Sequence, residues 1–192
     1  MRQRESVASK NGFPGEAGLM KRIAIIGPGG AGKSTLARQM GDKTGLPVTH
    51  LDAAYWHEGW VETPKDAWAE TVREMASQEA WIMDGNFGGT MELRLAAADT
   101  IIFLDLPPPL CVLRVVRRFF KHHGKSRPDM APGCPEKLDW VFLKWIWNYR
   151  RDRRPGILAR MQVYADGRKL VHLQTPGQVR RFLSGLTAAD CG

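Results

Sequence analysis

The apolar residues of this 192-residue chain fall into short continuous runs, separated by stretches with helical spacing. Residues 22–26 (Arg-Ile-Ala-Ile-Ile) form the first run, and a glycine ends it. Such a run predicts a strand buried on both faces. Residues 33–44 place Leu36, Ala37 and Met40 on one face, with Gly45 as a stop, which predicts a helix. Residues 48–51 read as a second strand. Thr63 and Pro64 predict an N-cap and a first helical position for a helix reaching residue 79. Residues 81–83 read as a third strand that ends at Asp84-Gly85. Thr90 reads as the cap of a short helix through Ala98, and residues 100–104 as a fourth strand. After Pro107-Pro108-Pro109 a helix is expected over 109–123, with Leu110, Leu113 and Val116/Arg117 at turn spacing. Residues 124–135 hold three prolines and two glycines and read as a loop. A long amphipathic helix over 136–153 follows, its apolar positions Leu138, Val141/Phe142, Trp145/Ile146 and Tyr149. Residues 169–173 read as a fifth strand, and Pro176 opens a last helix to residue 186.

Strands that alternate with helices imply an α/β fold: a five-stranded parallel sheet with helices on both faces. Ligands of such sheets bind at the carboxyl ends of the strands. There is no internal repeat and no sign of a second domain. Residues 21–188 therefore read as one domain, with a short helical lid over about 119–136 hinged at Gly124 and Gly133. Residues 1–20 are polar and glycine-rich, with no apolar stretch for a secretory signal. They read as a disordered leader, or as residues preceding a true start at Met20.

Hydrophobic residues make up 43% of the chain and charged residues 25%, ordinary values for a globular enzyme. No apolar run approaches the roughly 20 residues of a membrane helix. Cys111, Cys134 and Cys191 are sparse and odd in number, which suggests reduced thiols in a cytoplasm. The net charge of +8 is concentrated: residues 114–160 hold 13 Lys/Arg against four Asp/Glu. A polyphosphate site needs such a segment, and so does nucleic-acid binding.

Residues 27–34 (Gly-Pro-Gly-Gly-Ala-Gly-Lys-Ser) match G-x-x-x-x-G-K-[ST], after a strand and before a helix, as that motif requires. Gly27, Gly29, Gly30, Ala31 and Gly32 would turn backbone N–H groups toward phosphate oxygens, and the helix N-terminus adds its positive end. Lys33 should reach the β- and γ-phosphates, the Ser34 hydroxyl should bind Mg²⁺, and Thr35 is placed for the α-phosphate.

With that loop, the strand ends and the basic segment together, the chain resembles the adenylate-kinase-like P-loop kinases. It is most similar to the family known as the DNA topology modulation proteins, over residues 20 to about 185. The matching stretches are 25–36, 51–56 (Leu-Asp-Ala-Ala-Tyr-Trp), 81–87, 99–107, 127–135 and 145–154. The resemblance implies ATP as donor, Mg²⁺, a closing lid and a small-molecule acceptor. It implies that Asp84 holds Mg²⁺ through water and that Gly85 passes close to the γ-phosphate. It places Asp52, at the end of the second strand, toward the acceptor. Arg114 and Arg117 would contact adenine and phosphate, while Arg118 shares their helix but faces elsewhere. Arg127, Arg150, Arg151, Arg153 and Arg154 are the lid and post-lid arginines that stabilise transferred charge. Asp105 resembles a fold-level aspartate and ranks below Asp84. Where adenylate kinases carry Phe-Pro-Arg after Asp-Gly, this chain has Asn86-Phe87-Gly88, which puts AMP as acceptor in doubt. Arg94, or Trp56, His57 and Trp60, could take over an acceptor contact. The spacing of Cys134, His122 and His123 does not suit zinc.

Three functions follow. The first is an ATP-dependent kinase, with Lys33, Asp52, Asp84 and Arg117 as its catalytic group and a small acceptor. The second is an ATP-binding regulator associated with DNA topology, nucleic acid being its partner. The third is a weak ATPase without an acceptor.

Overall fold

A computed structural model of the chain describes residues 19–122, 124 and 129–190. The residue 1–18 part of the leader, His123, Arg127, Cys191 and the 125–128 stretch of the lid lie outside them.

The elements run β1 (Arg22–Ile26), α1 (Lys33–Thr44), β2 (Val48–His50), α2 (Leu51–Tyr55), β3 (Trp56–His57), β4 (Val61–Glu62) and α3 (Lys65–Ala76). They continue with β5 (Trp81–Asp84), α4 (Met91–Ala97), β6 (Thr100–Leu104), α5 (Pro108–His122), α6 (Trp140–Asp152), α7 (Arg154–Val163), β7 (Lys169–Leu173) and α8 (Pro176–Gly185). The main sheet has five parallel strands in the order β2-β5-β1-β6-β7. Strand side chains alternate between faces, and both faces are covered. Ile23, Ile25, Ile82, Ile102 and Leu104 pack with Leu36 and Met40 of α1 on one side. Ala24, Ile26, Trp81, Met83, Ile101 and Phe103 pack with Trp68 of α3, Leu95 of α4 and Ile157 of α7 on the other. This accounts for strands that read as unbroken apolar runs.

Several expected boundaries move. The second strand stops at His50, so Leu51 and Asp52 belong to α2. Thr63 does not cap α3: its hydroxyl donates to the Tyr55 carbonyl at 2.6 Å, and the helix starts at Lys65. Thr90 precedes α4 but caps nothing with its side chain, donating instead to the Phe87 carbonyl at 3.4 Å. The long helix expected over 136–153 starts at Trp140, where the Asp139 carboxylate accepts from the Val141 amide at 2.8 Å. Its buried face is Leu143, Ile146 and Tyr149, whereas Val141 is 75% exposed. Helix α7, with proline in its first turn, was not foreseen, nor was the β3–β4 hairpin, whose two-residue strands carry no readable period. Among the described residues, 129–139 cross between α5 and α6 as irregular chain, as the loop reading of 124–135 expects.

Asp105 ties the last third of the chain to the sheet. It follows β6, is 1% exposed, and accepts from Arg150 Nε at 3.1 Å, Arg154 Nε at 2.7 Å and Gln174 Nε2 at 3.4 Å. His172 Nε2 lies 3.0 Å from the same carboxylate, with its ring stacked on Phe103. Burial alone would raise the carboxyl pKa. Hydrogen bonds from His172 and Arg154, with the charges of Arg150 and Arg154, outweigh it and hold the pKa at about 2. A carboxylate depressed from 3.8 to about 2 stabilises the fold above pH 4, and that stability is lost as pH falls through the interval. We expect Asp105→Asn to cost roughly 2–3 kcal/mol at pH 7 in denaturant unfolding. That is low for a buried pair, because Arg150 and Arg154 remain about a third exposed. The wild-type advantage should shrink between pH 4 and pH 2, and a pH-independent difference would contradict the assignment.

Candidate functional site

The loop between β1 and α1 is built by backbone conformations and contacts that exclude side chains. Gly30 has φ +75, and a Cβ there would lie 2.2 Å from the Cys111 carbonyl oxygen of α5. Gly27 has φ +149, and its Cβ would meet the Leu104 carbonyl oxygen at 2.5 Å. The loop is thus seated against the C-terminal end of β6 and the first turn of α5. It opens into a cleft of about 730 Å³. Residues 29–35 form the cleft floor, Asp52 one wall, α5 and Phe142 a second, and Pro176, Val179 and Arg180 of α8 a third.

The parallel register β1–β5 sets Asp84 beside Ile25, directly under the loop. Ser34 Oγ donates to Asp84 Oδ2 at 2.7 Å. The other carboxylate oxygen is hydrogen-bonded to His50 Nδ1 from the end of β2. That hydrogen bond raises the imidazole pKa, with burial opposing it. Lys33 Nζ donates to the Pro28 carbonyl at 3.2 Å. Desolvation lowers the Lys33 pKa, while the charges of Asp52 and Asp84 raise it and that of Arg118 lowers it. Lys33, Ser34, Asp52 and Asp84 therefore converge at one place. Asp52 reaches it from the first turn of α2, one element later than expected.

On α5, Arg114, Arg117, Arg118 and Lys121 all line the cleft. Arg114 Nη1 donates to the Ala31 carbonyl at 3.1 Å and so braces the loop. Arg118 does not face elsewhere: it lines the cleft and binds the buried Glu136 at 2.7 Å. Arg150 and Arg151 are not brought to the cleft. Arg150 is committed to the Asp105 side chain and carbonyl, and Arg151 pairs with its neighbour Asp152.

Arg94 is corrected from acceptor contact to scaffold. It is fully buried, and donates to the Gly85 and Asn86 carbonyls at 3.1 and 2.6 Å. Desolvation pulls its pKa to about 10 against the field of Asp84, which still leaves it charged at neutral pH. Gly85 has φ +147, and a Cβ there would meet Leu51 at 2.9 Å. The glycine is therefore required by packing against α2. Trp56 and Trp60 pack on each other and on Met130, Ala131 and Cys134 of the crossing segment. The Gly59 amide donates to the Gly133 carbonyl at 3.1 Å, and Cys134 Sγ donates to the His57 carbonyl at 3.1 Å.

Sequence reasoning gave no site role to His50, Asn86, Phe142 or α8. Asn86 Oδ1 accepts from the Gly27 amide at 3.1 Å and from Tyr149 at 3.4 Å, which fastens the loop to β5 and α6. The Asp-Gly-Asn spacing was visible, but the partner 59 residues away was not.

The donor set suits magnesium. Ser34 Oγ and Asp84 are adjacent hard oxygen donors, and Mg²⁺ is usually held by one or two such groups with phosphates and water. Among the described residues no cluster of three or more His, Cys, Asp or Glu could enclose a metal alone.

The central glycine-rich loop, the parallel sheet order and the flanking helices define a P-loop NTPase fold of the kinase type. Two solved structures share it: shikimate kinase from Acinetobacter baumannii in complex with shikimate, and shikimate kinase from Bacteroides thetaiotaomicron. The first is 16% identical with a TM-score of 0.55, covering 86% of this chain and 89% of that one. The second is 20% identical with a TM-score of 0.53, covering 86% of this chain and 95% of that one. At these identities the likeness is one of fold. No protein-family model and no curated protein sequence matches the chain. Among the described residues no helix is long and apolar enough to cross a membrane.

Lys33→Met tests the site. A lysine whose pKa is lowered in the folded state costs stability while it stays charged. We expect nucleotide turnover to fall at least a hundredfold, while the melting temperature stays unchanged or rises. Retained turnover would refute the assignment.

Proposed function

We propose that the protein is a phosphotransferase that moves the γ-phosphoryl group of ATP to a small-molecule acceptor. The observation that carries this reading is the convergence of Lys33, Ser34, Asp52 and Asp84 at the loop mouth, beneath the arginines of α5. The kinase fold of the two structural neighbours supports it.

The phosphates would lie on the amides of residues 29–34, with Lys33 at the β- and γ-phosphates. Arg114, Pro176 and Val179 border the space left for the base. Bound magnesium would supply Lewis-acid charge at the β- and γ-oxygens, held by Ser34 and, through water, Asp84. Asp52 is placed to orient an acceptor hydroxyl and to take its proton. The hydroxyl oxygen forms the new bond to the γ-phosphorus as the bond to the β–γ bridging oxygen breaks, and ADP carries that electron pair away. The transition state spreads charge over the equatorial oxygens. Arg117, on the exposed side of α5, makes no ion pair among the described residues and lines the cleft.

The same basic segment has less to offer nucleic acid than its charge suggests. Arg114, Arg118, Arg150 and Arg154 turn inward onto Ala31, Glu136 and Asp105. The relation to the DNA topology modulation proteins stays part of this proposal, as do the nucleoside-monophosphate-kinase subtype and a cytoplasmic location.

A screen of nucleotides, nucleosides and small metabolites tests the reading, with ADP release followed against the rate without acceptor. We expect at least one compound to raise the rate tenfold or more. A uniformly flat screen would leave a slow ATPase in its place. Arg117→Ala should lower kcat at least tenfold and weaken ATP binding less than threefold, because its contact strengthens as charge develops. Equal losses in both would make Arg117 a ground-state binding residue.

A further inference from the structure

The cleft is more basic than a triphosphate explains. Its walls carry seven Lys/Arg against two carboxylates, and part of that charge lies away from the loop. Arg38 is the clearest instance. It stands on α1 four residues after Ser34, one helical turn and roughly 6 Å farther along the axis. Residues spaced this way share a face. Gly41 continues that face, and a Cβ there would meet Val48 of β2 at 2.5 Å, so the face looks toward β2, the strand that leads into α2. That is the side of Asp52. Arg38 also acts on His50, and Asp129 does too, which places Arg38 on the Asp84 side of the cleft.

Arg38 is exposed, and it makes no hydrogen bond or ion pair among the described residues. Arg94, by contrast, is committed to the Gly85 and Asn86 carbonyls. Lys121 lines the same cleft from α5 and makes no ion pair among the described residues.

We propose that Arg38, assisted by Lys121, forms an anion subsite beyond Asp52, and that the acceptor is a small hydroxyl compound carrying a carboxylate or a phosphate. Asp52 and Arg38 then read opposite ends of one molecule. The carboxylate orients the hydroxyl that reacts, and the guanidinium clasps the anionic end in a bidentate contact. A neutral polyol would leave Arg38 unmatched, which gives the site its selectivity. This deepens the phosphotransferase reading and rests on it for the word acceptor, but the subsite itself can be tested without turnover.

The test uses the full chain loaded with Mg·ADP. Glycerate, glycerol 3-phosphate, gluconate, glucose 6-phosphate and inorganic phosphate are titrated by calorimetry beside neutral glycerol and glucose. The same compounds are then assayed as acceptors with Mg·ATP. We expect at least one organic anion to bind tenfold or more tightly than its neutral counterpart. Arg38→Ala should remove most of that preference and leave ADP affinity within twofold, and Arg38→Lys should retain part of it. Preference for glycerate and gluconate over the phosphorylated compounds would assign a carboxylate, and the reverse a phosphate. Neutral compounds binding as well as the anions, no anion binding, or an Arg38→Ala variant with unchanged anion affinity would each overturn the subsite. Anions that bind through Arg38 and are never phosphorylated would uphold it and sink the phosphotransferase reading.

Discussion

The candidate site depends on one hydrogen bond between distant segments, from the Ser34 hydroxyl to the Asp84 carboxylate. It forms because β1 pairs in parallel with β5, and the register sets Asp84 opposite Ile25 at the strand ends. A one-residue slip would turn Asp84 to the other face of the sheet and put an apolar residue beneath the loop. The burial of alternate residues on both faces makes such a slip costly. The geometry at the loop mouth is therefore maintained by the core beneath it. His50 and Asn86 add to the same arrangement. One holds the second oxygen of Asp84 from β2, and the other anchors Gly27 from the segment after β5.

A second carboxylate, Asp105, organises the opposite side of the sheet. It gathers Arg150, Arg154, His172 and Gln174 around the end of β6. Helices α6 and α7 and strand β7 are joined there, and α6 supplies Phe142 to the cleft. The two aspartates stand at the ends of the strands that flank β1 and look alike in sequence. Their surroundings separate them. Asp105 is ringed by cations that fold the chain, whereas Asp84, itself buried, bonds a histidine and a serine that lines the cleft.

The aromatic hairpin and the crossing segment are joined in this conformation. Trp56 and Trp60 pack against Met130, Ala131 and Cys134, and hydrogen bonds link the Gly59 amide to the Gly133 carbonyl and the Cys134 thiol to the His57 carbonyl. Trp60 takes a left-handed φ of 66 and its buried indole nitrogen has no partner among the described residues. A bulky residue held there costs on the order of 1–3 kcal/mol.

The phosphate loop, the five strands, their parallel arrangement and the aspartate at residue 84 were legible in the sequence, because each rests on a local signal. The loop has a fixed spacing of glycine, lysine and serine. The strands are apolar runs, and periodicity survives translation along the chain. The partners of individual charges were not legible. Arg94, Arg118 and Arg150 look equally available in sequence, yet one is scaffold, one lines the cleft in an ion pair, and one is bound to Asp105. Partners 8 to 45 positions away decide those roles, and no local pattern encodes such pairings. The chain alone therefore determined that a G-x-x-x-x-G-K-S loop exists between a strand and a helix, and where it lies. Only the tertiary structure decided which cations surround it, because charge finds its partners through packing.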